Sequence, residues 1–257
     1  MSMIARSFIL LDHVGPAGER NIWDQGVRSW NEFISASKLR GLNPLRKRFY
    51  DKQLVEARGA LQDYRAEHFT GLLGSQHAWR LWNHFKQDTV FLDIETTGGY
   101  GNITVIGLYD GVDTKIMVRG FNLNKDILKR ELEKYSLIVT FNGACFDLPV
   151  IHRYFGDDVV PAVPHIDLRG VCGQIGLKGG LKKIEKDIGI MRPDDIQYVY
   201  GDDAAFLWHK WEASGDRKYL DILIRYNEED IMNLKPLAEH AISKLWERTF
   251  VDFRKLY

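Results

Sequence analysis

Two carboxylates in one apolar segment constrain this chain most. The segment Val90–Gly98 carries Asp93 and Glu95 among apolar, β-prone residues and then breaks at a glycine. This pattern predicts a strand that is buried on both faces. Because successive side chains on a strand point to opposite faces, we expect Asp93 and Glu95 to share one face. Two adjacent buried anions repel each other and lose hydration, so we expect divalent cations with oxygen ligands to compensate them.

The pattern after residue 88 predicts an α/β domain. The predicted strands are Thr89–Glu95, Ile103–Tyr109, Lys115–Val118, Ser136–Phe141 and His165–Leu168. The predicted helices are Lys125–Tyr135, Phe146–Phe155, Leu181–Ile188, Ala204–Ala213 and Asp216–Trp246. The pair Asp110-Gly111 is typical of a hairpin turn before the third strand. A hairpin meander followed by crossover helices predicts a mixed five-stranded sheet with helices on its faces.

Residues 1–88 have a different character and predict a small all-α region. Helix-like apolar spacing occurs over Asn21–Phe33, Asp51–Phe69 and Ser75–Lys86. Basic residues outnumber acidic ones here, and the reverse holds in the rest of the chain, although the net charge is zero. We therefore expect two domains, residues 1–88 and residues 89–257.

A third carboxylate, Asp147, follows the predicted strand that ends near Asn142-Gly143. It stands in the first turn of a predicted helix, at the carboxyl end of a strand. This is a common place for functional sites in open α/β sheets. The alternative is that Asp147 only favours the helix N-terminus.

The last group lies within the long carboxy-terminal helix. Tyr226 and Asp230 are four residues apart and therefore share one helical face. Glu228 and Glu229 fall on other faces, where we expect them to be solvated. Taken alone, Tyr226 and Asp230 also fit an ordinary helical pair.

Together, these groups resemble the motifs of the DEDD exonucleases of the ribonuclease H-like superfamily, in the same order and on the same element types. The matching motifs are Asp93-x-Glu95, Asn142-x-x-x-Phe146-Asp147 and Tyr226-x-x-x-Asp230. The residue types indicate the tyrosine branch, DEDDy, because the histidine branch would need a histidine at the position of Arg225. The resemblance covers the chain from Thr89 to Trp246. It is closest to stand-alone prokaryotic predicted ribonuclease H-like exonucleases, which carry stretches similar to Leu181–Glu185 and Leu207-Trp208.

The resemblance implies a metal-dependent 3′–5′ exonuclease that acts on single-stranded DNA or RNA and releases nucleoside 5′-monophosphates. Its cofactors would be two divalent cations, Mg²⁺ or Mn²⁺, about 3.5–4 Å apart. The implied ligands are Asp93, Glu95, Asp147 and Asp230. Tyr226 would orient the attacking water, since a phenol with a pKa near 10 is a poor base at neutral pH.

Four further residues are predicted to contact the substrate: Thr96, Asn142, Phe146 and Lys182. For Asn142 the alternative is support of the loop at the metal site. For Lys182 the alternative is a solvated helix face.

The amino-terminal region contains a second resemblance. Leu11–Pro16 followed by Asn21–Trp23 is similar to the second half of a helix-hairpin-helix module, whose helix amides grip a backbone phosphate. His13 departs from that pattern, since a glycine is usual there. The alternative is a small helical domain without nucleic-acid contact. The basic run Arg46–Arg48 would assist binding, or it is a solvated charge cluster.

Composition bounds the remaining possibilities. The chain has only two cysteines, without metal-ligand or redox spacing, which favours a reducing, cytoplasmic compartment over a disulfide scaffold. No segment approaches the roughly 20 apolar residues of a membrane span. The alternatives for function are an inactive nucleic-acid-binding or adaptor module, a proofreading subunit and a structure-specific endonuclease. The sequence indicates neither a sugar preference nor a particular protein partner.

Overall fold

The segment that carries Asp93 and Glu95 is the central strand of a five-stranded sheet. The strands are β1 (Thr89–Thr96), β2 (Ile103–Tyr109), β3 (Thr114–Val118), β4 (Leu137–Thr140) and β5 (His165–Asp167). Their order is β3-β2-β1-β4-β5. The pairs β1–β2 and β2–β3 are antiparallel, whereas β1–β4 and β4–β5 are parallel. The predicted mixed five-stranded sheet is confirmed.

The computed structural model describes residues 2–194, 196 and 201–251. The chain divides into two units. One comprises Met1–Lys86 and Ala162–Pro164, and the other comprises Gln87–Pro161 and His165–Tyr257. The short segment Ala162–Pro164 joins the amino-terminal unit, where Thr70 Oγ1 donates a hydrogen bond to the Ala162 carbonyl at 3.1 Å. The sequence pattern did not indicate this second part of the unit.

The amino-terminal unit is helical, but its helix bounds differ from the predicted ones. Its α-helices are α1 (Pro16–Asp24), α2 (Trp30–Ser35), α3 (Pro44–Gln62) and α4 (Trp82–Phe85), and 3₁₀-helices occupy Ile4–Arg6, Ala66–Phe69 and Ser75–Leu81. The single helix predicted over Asn21–Phe33 is wrong. The chain takes a left-handed conformation at Gly26 (φ +84°), and Ser29 caps α2 by accepting a hydrogen bond from the Glu32 amide.

The start of α3 was predicted too late, and the helix predicted over Ser75–Lys86 is mostly 3₁₀. The side chain of Asn43 caps α3 by accepting from the Arg46 amide at 2.8 Å, and Pro44 occupies the first helical position. Both are start signals that the apolar spacing does not register.

The sheet unit contains six further α-helices among the described residues. They are α5 (Lys125–Leu132), α6 (Asp147–Phe155), α7 (Leu168–Gln174), α8 (Leu181–Ile188), α9 (Gly201–Ser214) and α10 (Arg217–Trp246). The prediction missed α7 and extended β5 by one residue. The reason is that Asp167 ends the strand and caps the helix directly, by accepting from the Arg169 amide at 3.0 Å. No helix in the described part of the chain is long and apolar enough to span a bilayer.

The turn between β2 and β3 has the predicted chemistry. Asp110 Oδ1 accepts from the amides of Val112 and Asp113, both at 2.8 Å, and Gly111 has a φ of +98°. The helix α10 places buried Leu223, Ile231 and related apolar side chains toward the sheet. These contacts bring the polar face of α10 to the carboxyl end of β1.

Candidate functional site

Three carboxylates from two distant parts of the chain meet at the end of β1. Asp93, Glu95 and Asp230 each offer one oxygen, and these oxygens lie within 4.8 Å of one another. Asp93 is half-buried, and Glu95 and Asp230 are buried. The register of β1 against β2 shifts between Glu95 and Thr96, so a bulge ends the regular strand where the carboxylates stand.

Asp147 lies beside this group and is tied to β1. It begins α6, it is 3% exposed, and its Oδ1 accepts a hydrogen bond from the Ile94 amide at 3.2 Å. The side chain therefore does more than favour a helix N-terminus, because it binds the backbone of β1 at the residue between Asp93 and Glu95. Its oxygens do not belong to the 4.8 Å group formed by the other three.

The α10 pair faces the same cluster. Tyr226 and Asp230 are both buried, and the tyrosine side chain hydrogen-bonds the aspartate. The two glutamates between them are half-buried, so the prediction that they are solvated is wrong. Glu228 accepts from Thr114 Oγ1 at 2.5 Å, and Glu229 accepts from Asn233 at 3.2 Å. They support the helix and its contact with β3.

Burial raises the pKa values of these acids. Loss of hydration is the largest cause of the raised pKa of Asp93 and of Glu95, and the neighbouring carboxylates add to it. Burial raises the pKa of Asp147 from 3.8 to about 7. It also raises the pKa of Asp230 to about 6, against the opposing effect of Arg192. Without added positive charge, the cluster does not favour four ionised carboxylates at neutral pH.

Asn227 is a member of this site that the sequence patterns did not indicate. Its side chain is fully buried, and its Nδ2 donates to Asp93 Oδ2 at 2.8 Å. The approach depends on Gly107, which pairs with Asp93 in the sheet, because a Cβ there would overlap Asn227 Oδ1. An isolated glycine inside an apolar strand is a signal of such a close approach. Gly107 was therefore the sequence feature that could have indicated a close approach at this strand.

A pair of basic side chains flanks Tyr226. The Lys182 ammonium lies 4.9 Å from the centre of the tyrosine ring, and the Arg192 guanidinium lies 5.8 Å from it. Arg192 also pairs with Asp230 and with Glu185. It precedes a proline and follows no recognised motif, so no sequence pattern indicated that Arg192 belongs to the site.

The loop after β4 is held by acidic and basic side chains near the cluster. Asn142 has a positive φ of +69°, and its Oδ1 accepts from Arg169 at 2.7 Å. Asp167 accepts from the amides of Asn142 and Ala144 at 2.7 and 3.2 Å. These contacts fix the loop that leads into Asp147, and Asn142 supports this loop through its bond with Arg169.

A cavity of about 460 Å³ opens beside the cluster. All five predicted catalytic residues line it, and so do Thr96, Asn142 and Phe146. Lys182 is not part of this lining. The Thr96 hydroxyl donates to the Gly99 carbonyl at 2.9 Å, and the Phe146 ring lies 5.6 Å from that of Tyr100, which is 62% exposed.

A mixed sheet with carboxylates gathered at its central strand defines a ribonuclease H-like nuclease fold. The family model of the RNase_H superfamily matches residues 90–242, and the chain belongs to that superfamily. This confirms the superfamily to which the sequence motifs pointed. No curated protein matches the chain significantly.

A comparison with solved structures finds matches at low identity. One is the family B DNA polymerase from the hyperthermophilic archaeon Pyrobaculum calidifontis, with 15% identity, a TM-score of 0.47, and coverage of 59% of this chain and 24% of that chain. Another is Escherichia coli RNase D, an exoribonuclease involved in structured RNA processing, with 18% identity, a TM-score of 0.45, and coverage of 65% and 42%. The chain spans less than half the length of each.

Proposed function

We propose that this chain is a divalent-cation-dependent 3′–5′ exonuclease of the DEDDy type. Its substrates would be single-stranded DNA or RNA, and its products nucleoside 5′-monophosphates. The observation that carries the proposal is the convergence of Asp93, Glu95 and Asp230 within 4.8 Å, with Asp147 and Tyr226 on the same cavity. The cytoplasmic location expected from the cysteine content stays a prediction.

The donor set fits hard divalent cations. Carboxylate oxygens are the ligands that Mg²⁺ and Mn²⁺ prefer, and burial together with the neighbouring carboxylates raises the pKa values of Asp93 and Glu95, which added positive charge would lower. Asp93, Glu95, Asp147 and Asp230 would hold the ions. When bound, such ions activate water and stabilise charge on the phosphate.

Tyr226 would act as an orienting group. Burial raises the pKa of its hydroxyl further above the usual value of 10.0, so the group stays protonated at neutral pH. A protonated phenol that hydrogen-bonds Asp230 can orient a water molecule but cannot remove its proton. The tyrosine therefore contributes positioning.

The substrate would enter through the cavity. Phe146 lies at its wall beside exposed Tyr100, where a base can stack. Thr96 and Asn142 line the same cavity, and we propose that they contact the terminal nucleotide. Lys182 lies close to the Tyr226 ring but outside the lining, and it would act on a phosphate through charge at longer range.

The test is digestion of 5′-labelled single-stranded DNA and RNA with Mg²⁺, Mn²⁺ or a chelator. We expect a metal-dependent ladder that shortens from the 3′ end and is lost in Asp93→Asn. The matched control is Asp221→Asn, an exposed carboxylate on the same helix as Asp230, which should keep full activity. Strand binding without cleavage would favour a binding module, and internal cuts would favour an endonuclease. Activity only in complex with a polymerase would favour a proofreading subunit.

We also propose that residues 1–88 contact nucleic acid through the turn before α1. Val14 donates to the Leu11 carbonyl at 3.0 Å, and His13 takes the left-handed conformation (φ +62°) that a glycine usually supplies. The basic run contributes less than expected, because Lys47 is buried and paired with Asp51. With Asp93→Asn as background, His13→Pro should weaken binding of a labelled single strand in an anisotropy titration. Unchanged binding would favour a purely structural unit.

A further inference from the structure

Arg192 is a buried cation in direct contact with one of the candidate metal ligands. Its side chain is 5% exposed and forms an ion pair with Asp230. Two further hydrogen bonds, at 2.6 and 2.7 Å, join it to both carboxylate oxygens of Glu185 on α8. Glu185 is itself only 1% exposed.

This contact has a consequence for the acidic cluster. Asp230 is the member of the three-oxygen group that already has a guanidinium partner. A divalent cation that binds the group would stand close to that guanidinium, and like charges at such a distance repel each other. The Arg192 guanidinium and a divalent cation would therefore compete for the Asp230 carboxylate.

Two neighbouring side chains, Glu185 and Tyr226, hold Arg192 in position. Glu185 holds the fork of the guanidinium in a bidentate arrangement, which is the strongest geometry for this pair. The centre of the Tyr226 ring also lies 5.8 Å from the guanidinium carbon. Arg192 is therefore a built part of the site rather than a surface side chain that happens to reach it.

We propose that Arg192 is the internal counter-cation of Asp230. It holds this carboxylate in a fixed orientation before a divalent cation arrives, and it competes with that cation for the carboxylate. Arg192 is thus a positioning residue, and it stabilises the metal-free fold while lowering the affinity for metal. The inference rests on the proposed function, because it requires that the cluster binds a divalent cation.

The experiment is a calorimetric titration of the full chain with Mn²⁺, without substrate, combined with thermal unfolding in chelator. Arg192→Met should bind Mn²⁺ about tenfold more tightly than the unmodified protein, since one neighbouring positive charge is removed. Its metal-free melting temperature should fall, because Glu185 loses its partner. Glu185→Gln should have the opposite effect on affinity, since it leaves Arg192 to Asp230 alone.

The matched control is Lys182→Met, which removes an equal charge that also lies close to the Tyr226 ring. Its effect on Mn²⁺ affinity should be several-fold smaller than that of Arg192→Met. If both variants change the Mn²⁺ affinity equally, direct competition by Arg192 is overturned, because the change then reflects only the nearby positive charge. Equal affinity of Arg192→Met and the unmodified protein would overturn the proposal outright.

Three further outcomes are distinguishable. If Arg192→Met does not fold, Glu185→Gln decides, and an unchanged Mn²⁺ affinity in that variant overturns the proposal. If the unmodified protein binds no Mn²⁺, the proposed metal-dependent function fails and the competition fails with it. Mn²⁺ binding that none of the variants alters rejects the role of Arg192 and leaves the proposed function intact.

Discussion

The Asn227 side chain donates a hydrogen bond to Asp93 Oδ2 at 2.8 Å, which ties α10 to β1 inside the acidic site. The oxygen of the same amide lies over Gly107, the residue paired with Asp93 on β2. One position without a Cβ therefore allows a helix from the end of the chain to orient the first carboxylate of the motif.

Replacement of Asn227 tests this orientation. In Asn227→Ala we expect kcat to fall about tenfold or more, because Asp93 loses its donor and its fixed direction. The control is Asn233→Ala on the same helix, since that side chain hydrogen-bonds Glu229. Steady-state kinetics on a labelled single strand would measure both. Equal rates for the two variants would argue against a role for the Asn227 contact.

The close approach at Gly107 predicts a coupled effect. Gly107→Ala should lower the free energy of unfolding by about 1–3 kcal/mol, because the new Cβ overlaps the Asn227 amide. Adding Asn227→Ala should recover part of that loss, since the overlapping group is then absent. Denaturant unfolding of both single variants and the double variant gives the coupling. Strictly additive effects would contradict the contact.

Tyr226→Phe tests the contribution of the hydroxyl separately from that of the ring. The ring would keep its contacts with Lys182 and Arg192, so we expect the fold and the KM to persist. The kcat should fall about 10²-fold, because the water loses the hydroxyl that orients it. Wild-type kcat in this variant would remove Tyr226 from the mechanism.

Asp147 predicts a dependence of metal-free stability on pH. Its folded pKa is raised from 3.8 to about 7, so its contribution is present below about pH 4 and is lost as the pH rises toward 7. The variant Asp147→Asn keeps an oxygen that can accept from Ile94 but does not ionise. In chelator, its melting temperature should exceed that of the unmodified protein increasingly as the pH rises to about 8. Parallel melting curves at every pH would contradict the raised pKa.

Because His165 also changes stability with pH, the melting temperature of Asp147→Asn must be compared with that of the unmodified protein at each pH. Its pKa is lowered from 6.5 to about 4 by burial, so its neutral form stabilises the fold above about pH 6.5, and that contribution is lost as the pH falls toward 4. The two groups therefore change stability in opposite directions between about pH 4 and 6.5. Because both proteins contain His165, its effect cancels in the comparison.

The sheet and the acidic set could be predicted because local patterns carry them. Strand periodicity and the Asp110-Gly111 turn specify the meander, and residue types at fixed spacings brought Asp93, Glu95 and Asp230 into one hypothesis. The amino-terminal helices were predicted less well. Their ends depend on caps such as Ser29 and Asn43, which outweigh the apolar spacing that guided the prediction.

The supporting residues of the site could not be predicted in the same way. Asn227 binds Asp93 on β1, and it can approach only because Gly107 on β2 has no side chain. Arg192 reaches Asp230 from a segment that has no periodic pattern of its own. Such contacts exist only once the chain has folded, so spacing along the sequence does not encode them.

The site residues lie far apart along the chain, so the site can form only late in synthesis. Asp93 and Glu95 lie on β1, but their third partner, Asp230, is carried by α10, which ends at Trp246. A nascent chain that has formed the sheet but still holds α10 inside the ribosome has an incomplete acidic cluster. Capture of a divalent cation by this cluster would therefore report the docking of α10, and a truncated product would lack the complete acidic cluster.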